Sequence, residues 1–429
     1  MKPLVMKFGG TSVGSPEAIR RSAQLVAAQV GCCDGIVVVV SALSGITNLL
    51  IDCATQAAHA SLDQLETGIQ AYYDRHARLI EALQIDRKEK TDLFFNLEQR
   101  TGQLRTILAS IQQAGHLTPA LQDAAASLGE RMSAPILAAL LRQNSIQACE
   151  MDAAQLIVTD ANYTQAAVQF DATNRNIITH ISPLLEKGII PVVTGFIGAT
   201  PTGQVTTLGR GASDYSSTIL AAALNASEIW NWTDVDGVFN ADPRLVTQAQ
   251  VFSVLSFETM SVLAKYGAKV LHPETLRPVS DLGIPIRVRN SFNPDTPGTL
   301  IQSNQILDPL SSLAIVSKSY PTENIDDFVS LNDSDPVREI INTSLISVIG
   351  GILDTNKVVS ILTEAGLTVL ASRLLSSDGC VSVVVHSEDA TRAVQVLHSC
   401  LIEKAHINQE DYALTNAWLA LSEFNTVQK

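Results

Sequence analysis

The sequence is poor in the features that mark several large classes of protein. Charged residues make up only 17% of its 429 residues, and 29 Lys and Arg are outnumbered by 43 Asp and Glu, for a formal net charge of −14. A chain this acidic is a poor partner for nucleic acid or an anionic membrane surface. No apolar run approaches the ~20 residues needed to cross a bilayer. The sequence therefore predicts a globular protein without a nucleic-acid or membrane partner.

Cysteine is also scarce. The six Cys residues form no Cys-x-x-Cys pair and are too few for a disulfide scaffold, which favours a reducing compartment. The first residues reach Gly9 and Gly10 before any apolar stretch of signal-peptide length, so we expect a cytoplasmic protein. Its net charge also repels anionic substrates. Binding them requires locally placed cations, backbone amides and a metal ion.

The chain does contain an alternation of short apolar runs and amphipathic segments, which is typical of βαβ units around a parallel sheet. Residues 4–8 and 36–40 are predicted strands, and a helix is predicted from Pro16 to about residue 30 because Ser15 and Pro16 form a helix start. An Ala-, Leu- and Gln-rich stretch over about 46–148 predicts helices that cover the sheet. The alternation of strands and helices resumes later in the chain, with predicted strands at 189–194, 228–233 and 284–288 and a helix at 214–224.

Turn residues cluster at 293–298, and the character of the chain changes after them. We therefore predict a first domain over residues 1–305. Residues 306–342 are predicted to be a polar connector or the remnant of a small regulatory unit. Residues 343–429 hold a βαββα pattern, most of a ferredoxin-like unit, with strands at 345–349, 367–371 and 380–386 and helices at 357–364 and 389–401. A last strand is possible within 406–421.

The first glycine-rich loop, Lys-Phe-Gly-Gly-Thr-Ser-Val-Gly at 7–14, joins a predicted strand to a helix. Glycines there let backbone amides approach phosphate oxygens, the helix N-terminus is electropositive, and Lys7 adds a full charge. The Gly-x-x-x-x-Gly-Lys order of a Walker loop is absent. A glycine turn that only packs the strand on the helix is the alternative.

The second loop, Gly-Arg-Gly-Ala-Ser-Asp-Tyr-Ser at 209–216, also runs into a helix. Arg210 lies between two glycines and is suited to clamp a carboxylate through two parallel hydrogen bonds. Ser213 and Asp214 are also good helix caps, and Asp214 is equally suited to orient Lys7 or the amino end of a substrate.

The third loop, Trp-Thr-Asp-Val-Asp-Gly-Val-Phe-Asn-Ala-Asp-Pro-Arg at 232–244, leaves a predicted strand and is dense in carboxylates. Such oxygens suit ribose and hydrated magnesium, and Arg244 suits a phosphate. An ordinary Asp-Gly turn is the alternative.

Six strings together resemble the aspartate kinases in order and spacing over about the first 300 residues. They are KFGGTSV at 7–13, SGITN at 44–48, GERMS at 129–133, TLGRGASDY at 207–215, WTDVDGV at 232–238 and YGAKVLHP at 266–273. The resemblance implies an amino-acid kinase fold, an open αβα sandwich with a mainly parallel sheet, followed by a ferredoxin-like ACT-type α+β domain. It also implies phosphorylation of aspartate by ATP with Mg²⁺, the first step toward lysine, diaminopimelate, threonine and methionine.

The resemblance also implies roles for single residues. Lys7 neutralises charge on the transferring phosphoryl group, Asp214 organises Lys7 and the substrate, and the phosphates lie among Gly9, Gly10 and Ser12. The aspartate site consists of Thr47, Glu130, Arg210 and Ser213, with Arg210 on the α-carboxylate and Glu130 on the ammonium. The nucleotide site consists of Thr233, Asp234, Phe239, Arg244, Lys269 and Val270. No residue is assigned as a protein ligand of a metal.

Several readings stay open from the sequence alone. Without the resemblance, Glu130 is most simply a carboxylate on a helix surface, and His272, before Pro273, is structural. Phe239 stands where many aspartate kinases carry Tyr. The protein is either an aspartate kinase, a sister kinase acting on another small carboxylate, or a non-catalytic amino-acid sensor. The C-terminal region resembles that of lysine-sensitive aspartate kinases but is shortened, so lysine is the expected effector and a homodimer the expected assembly.

Overall fold

The structure is a computed structural model that describes residues 2–209, 211–268, 270–303, 314–320, 343–350, 354–375 and 378–403. The chain divides into two compact units, each built from separate stretches. The first unit is Met1–Gly237 with Leu271–Ser303, and the second is Val238–Val270 with Asn304–Lys429.

The first unit contains a main sheet and a separate pair of strands, and all of its strands are short. In the main sheet, every strand is parallel to its neighbours except the last one. The strands of this unit are β1 (Leu4–Phe8), β2 (Ile36–Val40), β3 (Ala148–Met151), β4 (Ile190–Thr194), β5 (Ile197–Ala199), β6 (Val205–Thr207), β7 (Glu228–Thr233), β9 (Ile286–Asn290) and β10 (Thr299–Gln302), while β8 (Val254–Ser256) belongs to the second unit. In the first unit the main sheet has the order β3-β4-β2-β1-β7-β9-β10. β10 is antiparallel to β9, and β5 and β6 form a separate antiparallel pair.

The helices of the first unit cover the two faces of this sheet. They are α1 (Gly10–Val13), α2 (Pro16–Ala27), α3 (Ile46–Ala57), α4 (Leu62–Ala82), α5 (Arg87–Ala114), α6 (Pro119–Ala126), α7 (Glu130–Gln143), α8 (Phe170–Glu186), α9 (Ala212–Ala223) and α11 (Pro273–Ser280). Ser15 caps α2 by accepting a bond from the backbone of Ala18 at 3.2 Å, with Pro16 at the first helical position, as predicted.

Side chains alternate between the two faces of each strand, and this alternation places the functional groups. Met6 and Phe8 of β1 belong to a large apolar cluster with Val38 and Val40 of β2 and with residues of α2 to α7. Lys7 therefore lies on the opposite face, the face against which α9 packs. This sandwich confirms the predicted fold class of the first part of the chain.

The second unit contains a four-stranded antiparallel sheet in the order β11-β12-β14-β13. Its further elements are α10 (Phe257–Tyr266), β11 (Ala314–Tyr320), β12 (Thr343–Ile349), α12 (Thr355–Glu364), β13 (Ala371–Leu375), β14 (Cys380–His386) and α13 (Ala390–His398). The order β12-α12-β13-β14-α13 confirms the predicted ferredoxin-like βαββα pattern. The strand suggested within 406–421 lies outside the described residues.

One predicted strand of this unit differs from the structure. The strand predicted at 367–371 begins only at Ala371, where pairing with Val384 of β14 starts. The backbone N–H of Leu367 instead donates to the oxygen of Leu362 in α12 at 3.0 Å. The segment 306–342, predicted as a polar connector or the remnant of a small regulatory unit, contributes β11, which pairs along its whole length with β12 and occupies an edge of the sheet.

The segment after β7 is folded into the second unit. Ala241 and Val246 are buried in one apolar cluster with Ile346, Val348 and Leu397. The backbone of Asn240 accepts a bond from Ile315 at 2.8 Å. No helix in the described part of the chain is long and apolar enough to cross a membrane.

Candidate active site

A cavity of about 790 Å³ opens in the first unit beyond the carboxyl ends of β1 and β2. β1 lies between two parallel neighbours, β2 on one side and β7 on the other. β2 is the next strand along the chain, whereas β7 comes much later, so the strand order changes direction at β1. Open α/β sheets bind ligands beyond the carboxyl ends of the strands at such a position. The volume is within the usual range for a small-molecule site. Six of the predicted residues of the first unit contribute to its lining: Lys7, Gly10, Thr47, Glu130, Ser213 and Asp214.

Lys7 and Asp214 form a buried ion pair at the cavity. Lys7 Nζ lies 2.5 Å from Asp214 Oδ1, and their side chains are 9% and 14% exposed. Asp214 is in the first turn of α9, which begins after Gly211, and Gly211 has the left-handed φ of 70°. The helix has no side-chain cap, so the capping alternative for Ser213 and Asp214 is wrong. Asp214 is directed to Lys7 instead.

The loop after β1 approaches the end of β2 closely, and this approach requires glycine. A Cβ atom on Gly10 would lie 2.9 Å from the carbonyl oxygen of Ala42, and the oxygen of Gly10 accepts a bond from Ser44 at 3.2 Å. Ser12 is fully buried, and its hydroxyl lies 2.8 Å from that of Ser291. Ser12 therefore stabilises the loop from within.

Glu130 is buried at the beginning of α7 and is only 3% exposed. Its helix comes close to the end of β2 because residue 129 is glycine, where a Cβ would lie 2.6 Å from that of Ala42. Burial raises the pKa of Glu130 to about 8, although hydrogen bonds from the backbone of Ala42 and its own backbone oppose the shift. Glu130 Oε2 has no partner among the residues the structure describes. The reading of Glu130 as a surface carboxylate is wrong.

The other predicted residues that the structure describes do not line this cavity. In the first unit Thr233 ends β7 and Asp234 follows it, and the oxygen of Thr233 accepts bonds from the backbone and the hydroxyl of Ser291. Phe239, Arg244 and Val270 belong to the second unit, where Arg244 is paired with Asp242. Gly9 donates to the oxygen of Trp232 at 3.1 Å. Arg210 and Lys269 lie outside the described residues.

His272 has a structural position in this region, as the sequence predicted. It precedes α11, and its Nδ1 accepts a bond from the backbone of Glu274 at 3.3 Å. Its Cβ lies 3.0 Å from where a Cβ on Gly211 would be. A side chain at position 211 would therefore be strained by both its backbone and this contact.

Sequence reasoning missed several residues that line the cavity, above all Asp123, Thr164, Phe196 and Thr207. Thr164 and Phe196 have left-handed backbones with φ of 71° and 67°, which is unusual outside glycine and often marks a functional site. Asp123 is a single acidic residue in the Ala-rich helix α6. That isolation is the one local signal by which the sequence marks it.

The fold and the cavity define an α/β protein that binds small ligands at the carboxyl edge of a parallel sheet. The chain belongs to the amino acid kinase family, whose sequence profile matches residues 2–290. It is 34% identical over 307 residues to the lysine-sensitive aspartokinase 3 of Escherichia coli, covering 72% of this chain and 66% of that protein. It is 32% identical over 362 residues to a chloroplastic bifunctional aspartokinase/homoserine dehydrogenase of Daucus carota, covering 84% of this chain.

Solved structures agree with these relatives. The crystal structure of E. coli aspartokinase III with aspartate and ADP superposes with a TM-score of 0.79 at 27% identity, over 93% of this chain and 99% of that one. The complex of the E. coli enzyme with lysine and aspartate gives a TM-score of 0.74, also at 27% identity, over 94% of this chain and 100% of that one. The resemblance to the aspartate kinases is confirmed. The chain spans 39% of the length of the carrot protein.

Proposed function

We propose that this protein is an ATP-dependent aspartate kinase that converts ATP and L-aspartate to ADP and 4-phospho-L-aspartate. One observation carries the proposal: a buried Lys7–Asp214 ion pair and a buried, unpaired Glu130 oxygen line the same cavity. This cavity combines a cation for phosphoryl oxygens with an acceptor for an ammonium group. The E. coli relative has been crystallised with aspartate and ADP.

The reaction is an in-line transfer to a carboxylate. A β-carboxylate oxygen of aspartate forms a bond to the γ-phosphorus of Mg-ATP, and the bond from that phosphorus to the β,γ-bridging oxygen breaks, which gives an acyl phosphate and ADP. The acceptor is already ionised at pH 7, so no strong general base is needed. Mg²⁺ arrives with the nucleotide and neutralises phosphate charge. Catalysis then consists of positioning and charge stabilisation.

In this scheme Lys7 stabilises the charge of the transferring phosphoryl group, and Asp214 holds the lysine in place. Glu130 receives the ammonium group of aspartate, with Arg210 on its α-carboxylate and Thr47 and Ser213 beside it. The nucleotide contacts Gly9, Gly10, Ser12, Thr233, Asp234, Phe239, Arg244, Lys269 and Val270. These assignments follow the family resemblance residue by residue.

The test is a panel of acceptors. Purified full-length protein with Mg-ATP should release ADP with aspartate but not with glutamate or acetylglutamate, and hydroxylamine should trap the acyl phosphate as a hydroxamate. Turnover with another acid instead of aspartate identifies a sister kinase. Aspartate binding without turnover identifies a sensor.

We further propose that residues 1–305 form the catalytic domain, that 306–342 are the remnant of a first regulatory unit and supply β11, and that 343–429 form a regulatory domain responsive to lysine. The β13 edge of its sheet exposes Leu374, which is 47% exposed. Among the described strands none pairs with the outer edge of β13. Such an edge strand favours pairing with a second chain, so a homodimer is expected. None of the six cysteines forms a disulfide, which fits a reducing compartment such as the cytoplasm.

A further inference from the structure

Asp123 is a buried carboxylate that lines the cavity without belonging to the predicted site. It is 1% exposed and accepts three hydrogen bonds. Oδ2 accepts from the backbone of Thr164 and from that of Thr207, each at 2.9 Å, and Oδ1 accepts from the Thr207 hydroxyl at 2.7 Å. These donors are 41 and 84 residues away along the chain. Asp123 therefore joins α6 to two separate segments of the cavity wall.

The first of these segments has a strained backbone. Thr164 is β-branched, yet its φ is 71°, a conformation that such residues rarely adopt. Strain of this kind persists only where surrounding contacts fix it. The contacts here are the bond from Thr164 to Asp123 and the bond from Ala166 to the oxygen of Thr207 at 3.0 Å.

The strained segment packs against the second glycine-rich loop. A Cβ on Gly209 would lie 3.5 Å from the oxygen of Thr164, which is ordinary van der Waals contact. The two ends of the segment 160–167 are joined by a hydrogen bond, in which the side chain of Asp160 accepts from the backbone N–H of Ala167 at 2.9 Å. The segment 160–167 is thus held between Asp123 and the loop that begins at Gly209.

We propose that Asp123 is a positioning residue for the acceptor substrate, a role that rests on the proposed function. Its carboxylate fixes the segment 160–167 and Thr207 in one arrangement, and this arrangement forms the wall of the cavity next to Gly209 and Gly211. Oδ2 must accept from two backbone N–H groups, whereas Oδ1 faces a hydroxyl, which can donate or accept. An amide with its oxygen in the place of Oδ2 therefore preserves all three bonds, and alanine removes them.

Asp123→Ala in the full-length protein is the direct test, and Asp123→Asn, which can keep the three bonds, is the conservative variant that should stay near the wild-type constants. In Asp123→Ala the KM for aspartate should rise about 10-fold or more, and the KM for ATP should change less than about 2-fold, because a small misplacement of the wall affects the acceptor that it contacts. Thr207→Val removes one of the three bonds and should give a smaller rise in the same direction. In the absence of ATP, calorimetry should show aspartate binding weakened by a similar factor.

Leu93→Ala is the matched control for lost stability. Leu93 is 2% exposed in α5 and does not line the cavity. This variant should lower the melting temperature because it leaves a void in the core, without changing either KM. If Asp123→Ala lowers the melting temperature and leaves the aspartate KM unchanged, Asp123 is only structural and the proposal is overturned.

Two measurements separate this proposal from the proposed function. A wild-type protein that binds aspartate in calorimetry but releases no ADP contradicts the kinase activity, and the binding constants of Asp123→Ala then still decide the positioning role. A wild-type protein that neither binds nor phosphorylates aspartate overturns both.

Discussion

Lys7 Nζ and Asp214 Oδ1 lie 2.5 Å apart and join the end of β1 to the first turn of α9. The two residues are far apart in the sequence: Lys7 lies in β1 just before Gly9 and Gly10, and Asp214 follows Gly211. A buried ammonium group is costly unless a carboxylate is paired with it. Asp214 supplies this carboxylate and fixes the direction in which Lys7 points.

This ion pair predicts the behaviour of Lys7→Ala. The variant should fold, but its kcat should fall about 100-fold or more, because one preorganised electrostatic contact to the transition state is lost. Steady-state kinetics with circular dichroism as a folding control measures this. A folded variant with near-normal kcat removes Lys7 from the mechanism.

Glu130 predicts a pH dependence for aspartate binding. Its pKa is raised to about 8 by burial, so most of the free protein holds it protonated at pH 7. An ammonium ligand requires the ionised form of Glu130. The apparent affinity for aspartate is therefore proportional to the fraction of Glu130 that is ionised. The kcat/KM for aspartate should therefore rise by up to about 10-fold per pH unit between pH 6.5 and 8.

Glu130→Gln serves as the control for this profile. The variant should have a higher KM for aspartate and should lose the rise between pH 6.5 and 8, while its KM for ATP stays near the wild-type value. An unaltered pH profile in the variant would show that another group titrates.

Arg210→Lys tests whether Arg210 binds the α-carboxylate of aspartate. Lysine retains the charge but lacks the planar fork that makes two parallel hydrogen bonds, so the KM for aspartate should rise far more than that for ATP. Arg277→Lys, on a side chain that is 81% exposed, is the matched control and should change neither constant. A rise in the ATP constant alone would mean that Arg210 belongs to the nucleotide site.

His76 predicts acid sensitivity of the fold. It is fully buried, its Nδ1 lies 2.9 Å from the oxygen of Tyr72, and burial lowers its pKa to about 4. The unfolded chain binds a proton at about pH 6.5 and the folded chain only near 4, so the free energy of unfolding should decrease as pH falls across this interval, by about 3 kcal/mol in total.

The measurement is denaturant unfolding at pH 7 and pH 4.5. His76→Leu should reduce the difference between the two values, whereas substitution of the exposed His116 by Leu should leave it unchanged. Equal acid sensitivity in both variants would place the titrating group elsewhere.

The regulatory proposal predicts that lysine inhibits this protein. An effector must bind one arrangement more tightly than another, and typical coupling of about 1 to 3 kcal/mol gives roughly 5- to 150-fold inhibition. Activity against lysine concentration, with threonine and methionine as comparisons and light scattering for size, measures this. A chain cut near residue 305 is unsuitable, because Ala241 and Val246 would lose the apolar partners they have in the second unit. Unchanged activity at saturating lysine contradicts the regulatory proposal.

Much of the fold was predictable because its signals are local. The strands at 4–8 and 36–40 agree with the sequence prediction residue for residue. Both are short, mainly apolar runs that end at turn residues, and 36–40 is continuously β-branched, which favours a buried strand. The strand after α12 was displaced because the start of β13 depends on its pairing with β14, which no local pattern records.

The sequence by itself determined which residue types meet at the edge of the sheet: the glycines of the three loops, Lys7, and the acidic residues that follow the strands. Only the tertiary structure decided how deeply each one is buried. Glu130 lies inside because Gly129 packs on Ala42, and Asp123 lies at the cavity because Thr164 and Thr207 donate to it. Burial and pKa depend on segments that are distant along the chain, and these become neighbours only when the chain folds.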